Sequence, residues 1–162
     1  MSYNLLPFRQ SPNYTPAAQT QAFYGRPRTI EFGAGHWWDN PDLFPSFNGV
    51  VNAMMNPARQ CSPHAVVGDG VVQPLVRPED TSWCTASANP YTVSIETDPQ
   101  IMRKWWGGDT AKGERIFQTI SEYIADMGWH NLTWKPHNAF PNQSTQCNPI
   151  PWGEVMARAK QI

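Results

Sequence analysis

His137 and Cys147 lie ten residues apart in a turn-rich stretch, Pro136-His137-Asn138-Ala139-Phe140-Pro141-Asn142-Gln143-Ser144-Thr145-Gln146-Cys147-Asn148-Pro149. A loop of that length can fold back and bring an imidazole and a thiolate to one ion, and both are standard zinc ligands. On spacing alone, an unrelated loop histidine and a buried free cysteine are the commoner explanation of such a pair. A third ligand must come from elsewhere. The chain has four histidines, His36, His64, His130 and His137. His36 follows a Gly33-Ala34-Gly35 turn and has freedom to project. His64 sits in an alternating apolar stretch and reads as a satisfied core or cleft residue. His130 follows a helix end, where a partly charged imidazole is favourable for structural reasons. Two histidines and one cysteine leave a fourth position for water, as catalytic rather than structural zinc requires.

The elements that must carry these groups are legible to different degrees. Thr29 to Gly35 is partly β-branched and reads as a strand that delivers His36. Tyr91-Thr92-Val93-Ser94-Ile95-Glu96-Thr97 is the clearest strand. Its alternation sets Tyr91, Val93 and Ile95 on one face and Thr92, Ser94 and Glu96 on the other. Glu96 therefore points away from the apolar face. Leu132 to Lys135 reads as a short strand leading into His137. A hairpin is expected over His64 to Val76, turning at Gly68-Asp69-Gly70. Pro78 to Pro90 reads as a long loop.

Three helices are expected. Ser46 to Met55 has an apolar face of Val50, Val51, Met54 and Met55 and is stopped by Pro57. Thr110 to Met127 is capped by Asp109. Its stripe of Ile116, Ile120, Tyr123, Ile124 and Met127 faces a core, and Gly128 ends it. Pro151 opens the last helix, with Trp152, Val155, Met156 and Ala159 inward. Strands interspersed with helices suggest an α/β domain built on a central mixed sheet flanked by helices. Residues 1–27, with prolines at 7, 12, 16 and 27, are expected to form an extended arm over a single catalytic domain at 28–162.

Composition excludes several classes. The 162 residues suffice for one globular core. A net charge of −1 with no basic run argues against nucleic acid. No apolar run reaches membrane-helix length, and the first residues lack a basic segment followed by an apolar one, so no signal peptide is expected. Three cysteines, an odd number, do not suggest a full disulfide framework.

The order of these motifs resembles the zinc-dependent N-acetylmuramoyl-L-alanine amidases, the class that includes phage endolysin amidases and peptidoglycan recognition proteins. A strand ends in a histidine, Thr29 to His36. A helix, the Ser62-Pro63-His64-Ala65-Val66-Val67 segment and a hairpin follow. Next come the acidic-x-x-Trp stretch Glu79-Asp80-Thr81-Ser82-Trp83 and a strand whose Glu96 lies seven residues after Asn89. His137, Cys147 and Pro149 close the pattern. Ser11-Pro12-Asn13-Tyr14-Thr15 resembles the N-terminal segment of phage forms, and the likeness spans residues 11 to 160.

The resemblance implies a fold and an activity together. The fold is the amidase/peptidoglycan-recognition-protein-like α/β fold. The activity is hydrolysis of the amide between N-acetylmuramic acid and L-alanine in peptidoglycan, by a monomer made in the bacterial cytoplasm and acting on the wall after release. It implies Zn2+ on His36, His137 and Cys147, with Glu96 exchanging protons and Thr145 hydrogen-bonding the oxyanion. Three positions depart from the pattern. Thr145 stands where the family often has Lys, or Thr, and cannot supply positive charge; Pro63 stands where it often has Tyr, and Trp83-Cys84 where it has Trp-His. Two alternatives stay open. One is a peptidoglycan-binding module without turnover, which the presence of Cys147 disfavours. The other is a structural zinc domain, with Cys84 as fourth ligand.

Overall fold

The computed structural model describes residues 2–38, 42, 45–145, 147 and 149–162. Gln146 and Asn148, within the His137–Pro149 stretch, lie outside the described residues. In chain order, β1 (Asn4–Leu5) and β2 (Tyr14–Thr15) precede α1 (Ala17–Tyr24), β3 (Phe32–Trp37) and α2 (Phe47–Met54). Then come β4 (Ala65–Gly68), β5 (Val71–Pro74), β6 (Thr81–Ser82) and β7 (Thr92–Thr97). The remainder is α3 (Arg103–Trp106), α4 (Thr110–Asp126), β8 (Thr133–Pro136) and α5 (Trp152–Ala159).

Six strands form one mixed sheet in the order β1-β5-β4-β7-β3-β8, and β2 pairs with β6 in a separate ribbon. Only the β4–β5 hairpin is antiparallel within the large sheet. Its turn holds Gly70 at φ 67, a conformation that glycine adopts at little cost. The inner strands β4, β7 and β3 are covered on both faces, as parallel strands require. Ile116, Ile120 and Ile124 of α4 and Val155 of α5 pack on Ala65, Val67, Val93 and Ile95 from one side. Each such fully buried side chain contributes on the order of 1.5–3 kcal/mol. Val50, Val51 and Met54 of α2 pack on Val66 from the other side. No helix among the described residues is long and apolar enough to cross a membrane.

The expected α/β architecture, with a central mixed sheet and flanking helices, is the one observed. Ser46 caps α2 by accepting from the Gly49 N–H, and Asp109 caps α4 by accepting from the Lys112 N–H. The segment 1–27 differs from the extended arm expected of it. β1 is the edge strand of the main sheet, and Ala17–Tyr24 is helical. Pro16 stands immediately before that helix and starts it rather than breaking it. The Pro78–Pro90 loop contains β6 and most of a 3₁₀ segment, Ala86–Tyr91. α3 has no counterpart in the sequence reading.

The strand that carries His36 is packed unusually tightly. A Cβ at Gly33 would lie 2.1 Å from the Trp134 ring, and one at Gly35 would lie 1.8 Å from Trp152. The two indoles stack on each other, 5.2 Å between centroids, directly against the bare backbone of β3. The glycines before His36 thus serve close packing as well as turning. Their face of the strand is sealed by indole, which leaves the opposite face for polar groups.

Candidate metal centre

β3 and β7 run parallel in register, pairing Ala34 with Ser94 and His36 with Glu96. Because side chains alternate along a strand, Phe32, Ala34 and His36 share one face with Thr92, Ser94 and Glu96. His36 lies inside β3 rather than after it, and both His36 and Glu96 are buried. His137 begins the turn that follows β8, the other neighbour of β3. Its ring lies 4.5 Å from that of His36, centroid to centroid. Cys147 closes the group, with Sγ 3.9 Å from His36 Nδ1.

The ligand atoms of His36, His137 and Cys147 all lie within 4.8 Å of one another. That span suits one ion held at the roughly 2.0–2.3 Å bonds that zinc makes to nitrogen and sulfur. His36 Nε2 is buried with no hydrogen-bond partner among the described residues, which leaves a ring nitrogen uncommitted. His137 Nε2 lies 2.9 Å from Gln143 Oε1. Donating that N–H leaves Nδ1 as a lone pair, the arrangement by which outer residues orient a ligand imidazole. His36, His137 and Cys147 could therefore hold a metal, and the nitrogen and sulfur donors fit zinc.

Electrostatics at the site follow from burial. It pushes the His36 pKa down to about 3, with the neighbouring His137 adding to the effect. Burial also lowers His137, against the hydrogen bond that its Nε2–H donates to Gln143. Both imidazoles are thus neutral near pH 7, as ligands must be. Burial raises the Cys147 thiol to about 12, although the Trp37 carbonyl accepts its S–H at 3.9 Å. A cation binding there would have to displace that proton. Glu96 is raised to about 8, first by burial and then by Cys61, while Arg59 opposes the shift.

These groups open into a cleft of about 520 Å³, lined by Trp38, Arg59, Glu96, Thr145 and Cys147 among others. Glu96 is the one carboxylate among its described lining residues. A second cleft of about 530 Å³ shares Cys61, Cys84 and His137 with it and extends toward Phe23 and Tyr24 of α1. Thr145 accepts the Cys147 N–H at 3.1 Å, so it anchors the backbone of that cysteine. Trp38 is buried in the α2 core, while Trp37 packs edge-on to Trp106.

Structural comparison finds close relatives in shape. Staphylococcus aureus hydrolase AmiA, solved with its ligand, matches with a TM-score of 0.71 at 15% identity, over 99% of this chain and 83% of that one. N-acetylmuramoyl-L-alanine amidase LysC from Clostridium intestinale URNW matches at 0.61 and 12% identity, over 99% and 98%. The catalytic domain of XlyA matches at 0.61 and 16% identity, over 98% and 96%. The chain has the fold of N-acetylmuramoyl-L-alanine amidases. No protein-family model and no curated protein sequence matches it. At such low identity the fold was legible only through sparse motif positions, and the likeness in shape bears out the fold that those motifs implied.

Several residues in this amidase fold were missed by sequence reasoning. Gln143 is one, since a glutamine in a polar loop carries no signal of its own. The pairing of Cys61 with Cys84 is another, their Sγ atoms 3.9 Å apart beside Glu96, although Cys84 alone was a candidate fourth ligand. The Cys84 thiol donating toward Cys61 lowers the Cys61 pKa, and that same contact together with burial raises Cys84. The ligand atoms of Cys84, His36 and Glu96 also fall within 4.8 Å of one another. Asn89 explains its place in the motif: its Oδ1 accepts from the Cys84 and Thr85 N–H groups and shapes that loop. His64 is a satisfied core residue. Its Nδ1 accepts the Ser94 N–H at 3.0 Å and its Nε2 faces the Asp80 carbonyl at 3.2 Å. His130 belongs to neither donor group.

Proposed function

We propose that the chain is a zinc-dependent N-acetylmuramoyl-L-alanine amidase, the catalytic domain of a phage or prophage endolysin. Its substrate is bacterial peptidoglycan, cut between N-acetylmuramic acid and L-alanine. The observation that carries this reading is the convergence of His36, His137 and Cys147 on one point in an amidase fold. Cys147 at that point supports turnover over binding alone. A single carboxylate among the described residues of the cleft supports amide hydrolysis, since glycoside hydrolysis generally uses a pair.

His36, His137 and Cys147 would hold the ion. Zinc, when bound, supplies Lewis acidity that polarises the amide carbonyl and lowers the pKa of water toward about 7. Glu96 takes the proton from the attacking water and returns it to the leaving L-alanine amine. Its raised pKa places it near neutral, where a group both accepts and gives up protons readily. Thr145 donates its hydroxyl hydrogen toward the oxyanion while its oxygen holds the Cys147 N–H. Thr145 is uncharged, and Arg59, which also lines the cleft, would supply positive charge.

Purified protein digesting isolated cell wall tests the assignment. New L-alanine amino groups should appear without new reducing sugar ends, and a chelator should abolish them. Zinc measured on the same preparation should be one per chain and fall in Cys147→Ser. New reducing ends would overturn the choice of bond, and equal zinc in the two proteins would remove Cys147 from the site.

A further inference from the structure

Cys61 and Cys84 stand on two chain segments joined by a single antiparallel bridge, Ser62 opposite Trp83. The Ser62 N–H donates to the Trp83 carbonyl at 3.0 Å. One residue beyond a hydrogen-bonded pair of this kind, the two chains come closest, about 4.5 Å between Cα atoms. Cys61 and Cys84 occupy that next position, one on each segment, with Sγ atoms 3.9 Å apart. A Cα separation of that size falls inside the range that disulfides span, about 4.4–6.8 Å. Both thiols are free, Cys61 half-buried and Cys84 buried. Both line the wall shared by the two clefts.

We propose that Cys61 and Cys84 are a reactive dithiol that closes to a cross-strand disulfide on the wall of the metal cleft. The oxidant is a small-molecule disulfide of the glutathione type. Cys61, the accessible thiol, attacks one sulfur of that disulfide as a thiolate and expels one glutathione. The Cys84 thiolate then attacks the Cys61 sulfur of the mixed disulfide and expels the second. Two protein thiols are oxidised by two electrons, one glutathione disulfide is reduced to two thiols, and the two protein protons leave with them. Closing the bridge commits the Cys84 sulfur, which otherwise lies within 4.8 Å of the ligand atoms of His36 and Glu96. Reduced and oxidised protein thus differ in the donors that face the metal cleft. Cys147 stays outside the reaction, because its sulfur lies at His36 and the Trp37 carbonyl.

The test is thiol mapping of the folded, zinc-supplemented chain. The protein is incubated with oxidised glutathione or with dithiothreitol, quenched in acid, alkylated in denaturant and digested for mass spectrometry. The oxidised sample should give one cross-linked peptide pair holding Cys61 and Cys84, lighter by two hydrogens, with Cys147 alkylated in both samples. Cys84→Ser should instead retain one glutathione on Cys61, because the resolving thiol is gone. Any of three results overturns the proposal: a lasting glutathione adduct on Cys61 of the wild type, a bridge to Cys147, or a Cys61–Cys84 bridge that forms only in denaturant. The mapping reads neither zinc content nor turnover, so its failure leaves the amidase reading standing.

Discussion

His36 and Glu96 are register partners across the parallel strands β3 and β7. The sheet itself therefore fixes the distance between a proposed metal ligand and the carboxylate proposed to serve it. Glu96→Gln keeps the shape of the buried side chain and loses the proton acceptor. The variant should bind zinc as the wild type does, while kcat falls on the order of 10²–10⁴-fold. Elemental analysis beside turnover on isolated wall checks both halves. Near-normal turnover would assign the proton transfer to another group.

Gln143 is the outer partner of His137 through its Oε1. Its amide also donates to the Thr85 carbonyl, so it is held from both ends. Gln143→Leu removes the acceptor that orients the imidazole. Zinc affinity should drop about 10–100-fold, the usual effect of losing such a partner. Gln143→Glu restores an acceptor and should recover most of that affinity. Competition with a chelator of known zinc affinity gives the comparison.

Arg59 lines the cleft and its charge acts on Glu96. On the proposed mechanism, Arg59 supplies the positive charge that Thr145 lacks. Arg59→Gln should lower kcat by roughly 10- to 100-fold, the lower range for a transition-state donor because Arg59 is exposed. Zinc content and thermal stability should stay unchanged. Arg59→Lys should retain part of the rate. A fall in zinc content with the rate would move Arg59 from charge stabilisation to metal binding.

Much of the scaffold was readable because periodicity and caps agree. Ile116, Ile120, Tyr123 and Ile124 recur at helical spacing, and all four are buried under α4. Tyr91 to Thr97 alternates, and Glu96 lies on the polar face that its position gave it. The alternation did not show that both faces of β7 are covered, since covering depends on β6 and the 3₁₀ segment before β7. α1 was hidden because Pro16 reads as a breaker unless it is known to stand at a helix start. Gly33 and Gly35 suggested flexibility, yet their lack of side chains makes room for Trp134 and Trp152. That contact joins residues about a hundred positions apart, and no local pattern encodes it. The same holds for Cys61 and Cys84, which only the Ser62–Trp83 bridge brings together.

His64 gives the molecule a pH dependence separate from catalysis. Burial, and then the nearby Arg28 charge, lower its pKa from 6.5 to about 3. The unfolded chain therefore takes up a proton below about pH 6.5 that the folded chain refuses until about pH 3. The stability contributed by neutral His64 is complete above the unfolded pKa and is lost as pH falls through that window. The loss approaches about 1.4 kcal/mol per pH unit for one proton. His36 has the same shift and adds a similar slope in metal-free protein, so the wild type alone cannot separate the two. His64→Gln can, because an amide is able to accept the Ser94 N–H and donate to the Asp80 carbonyl without titrating. The variant should be less stable than the wild type at pH 7, through imperfect replacement of those bonds. The gap should shrink steadily toward about pH 4 as the wild type loses the contribution of neutral His64. Urea unfolding of both proteins at intervals across that range measures it. A gap that stays constant would show that His64 takes up no extra proton on unfolding, and that acid sensitivity comes from His36 or from carboxylates held low by a partner, such as Asp69 beside Arg115.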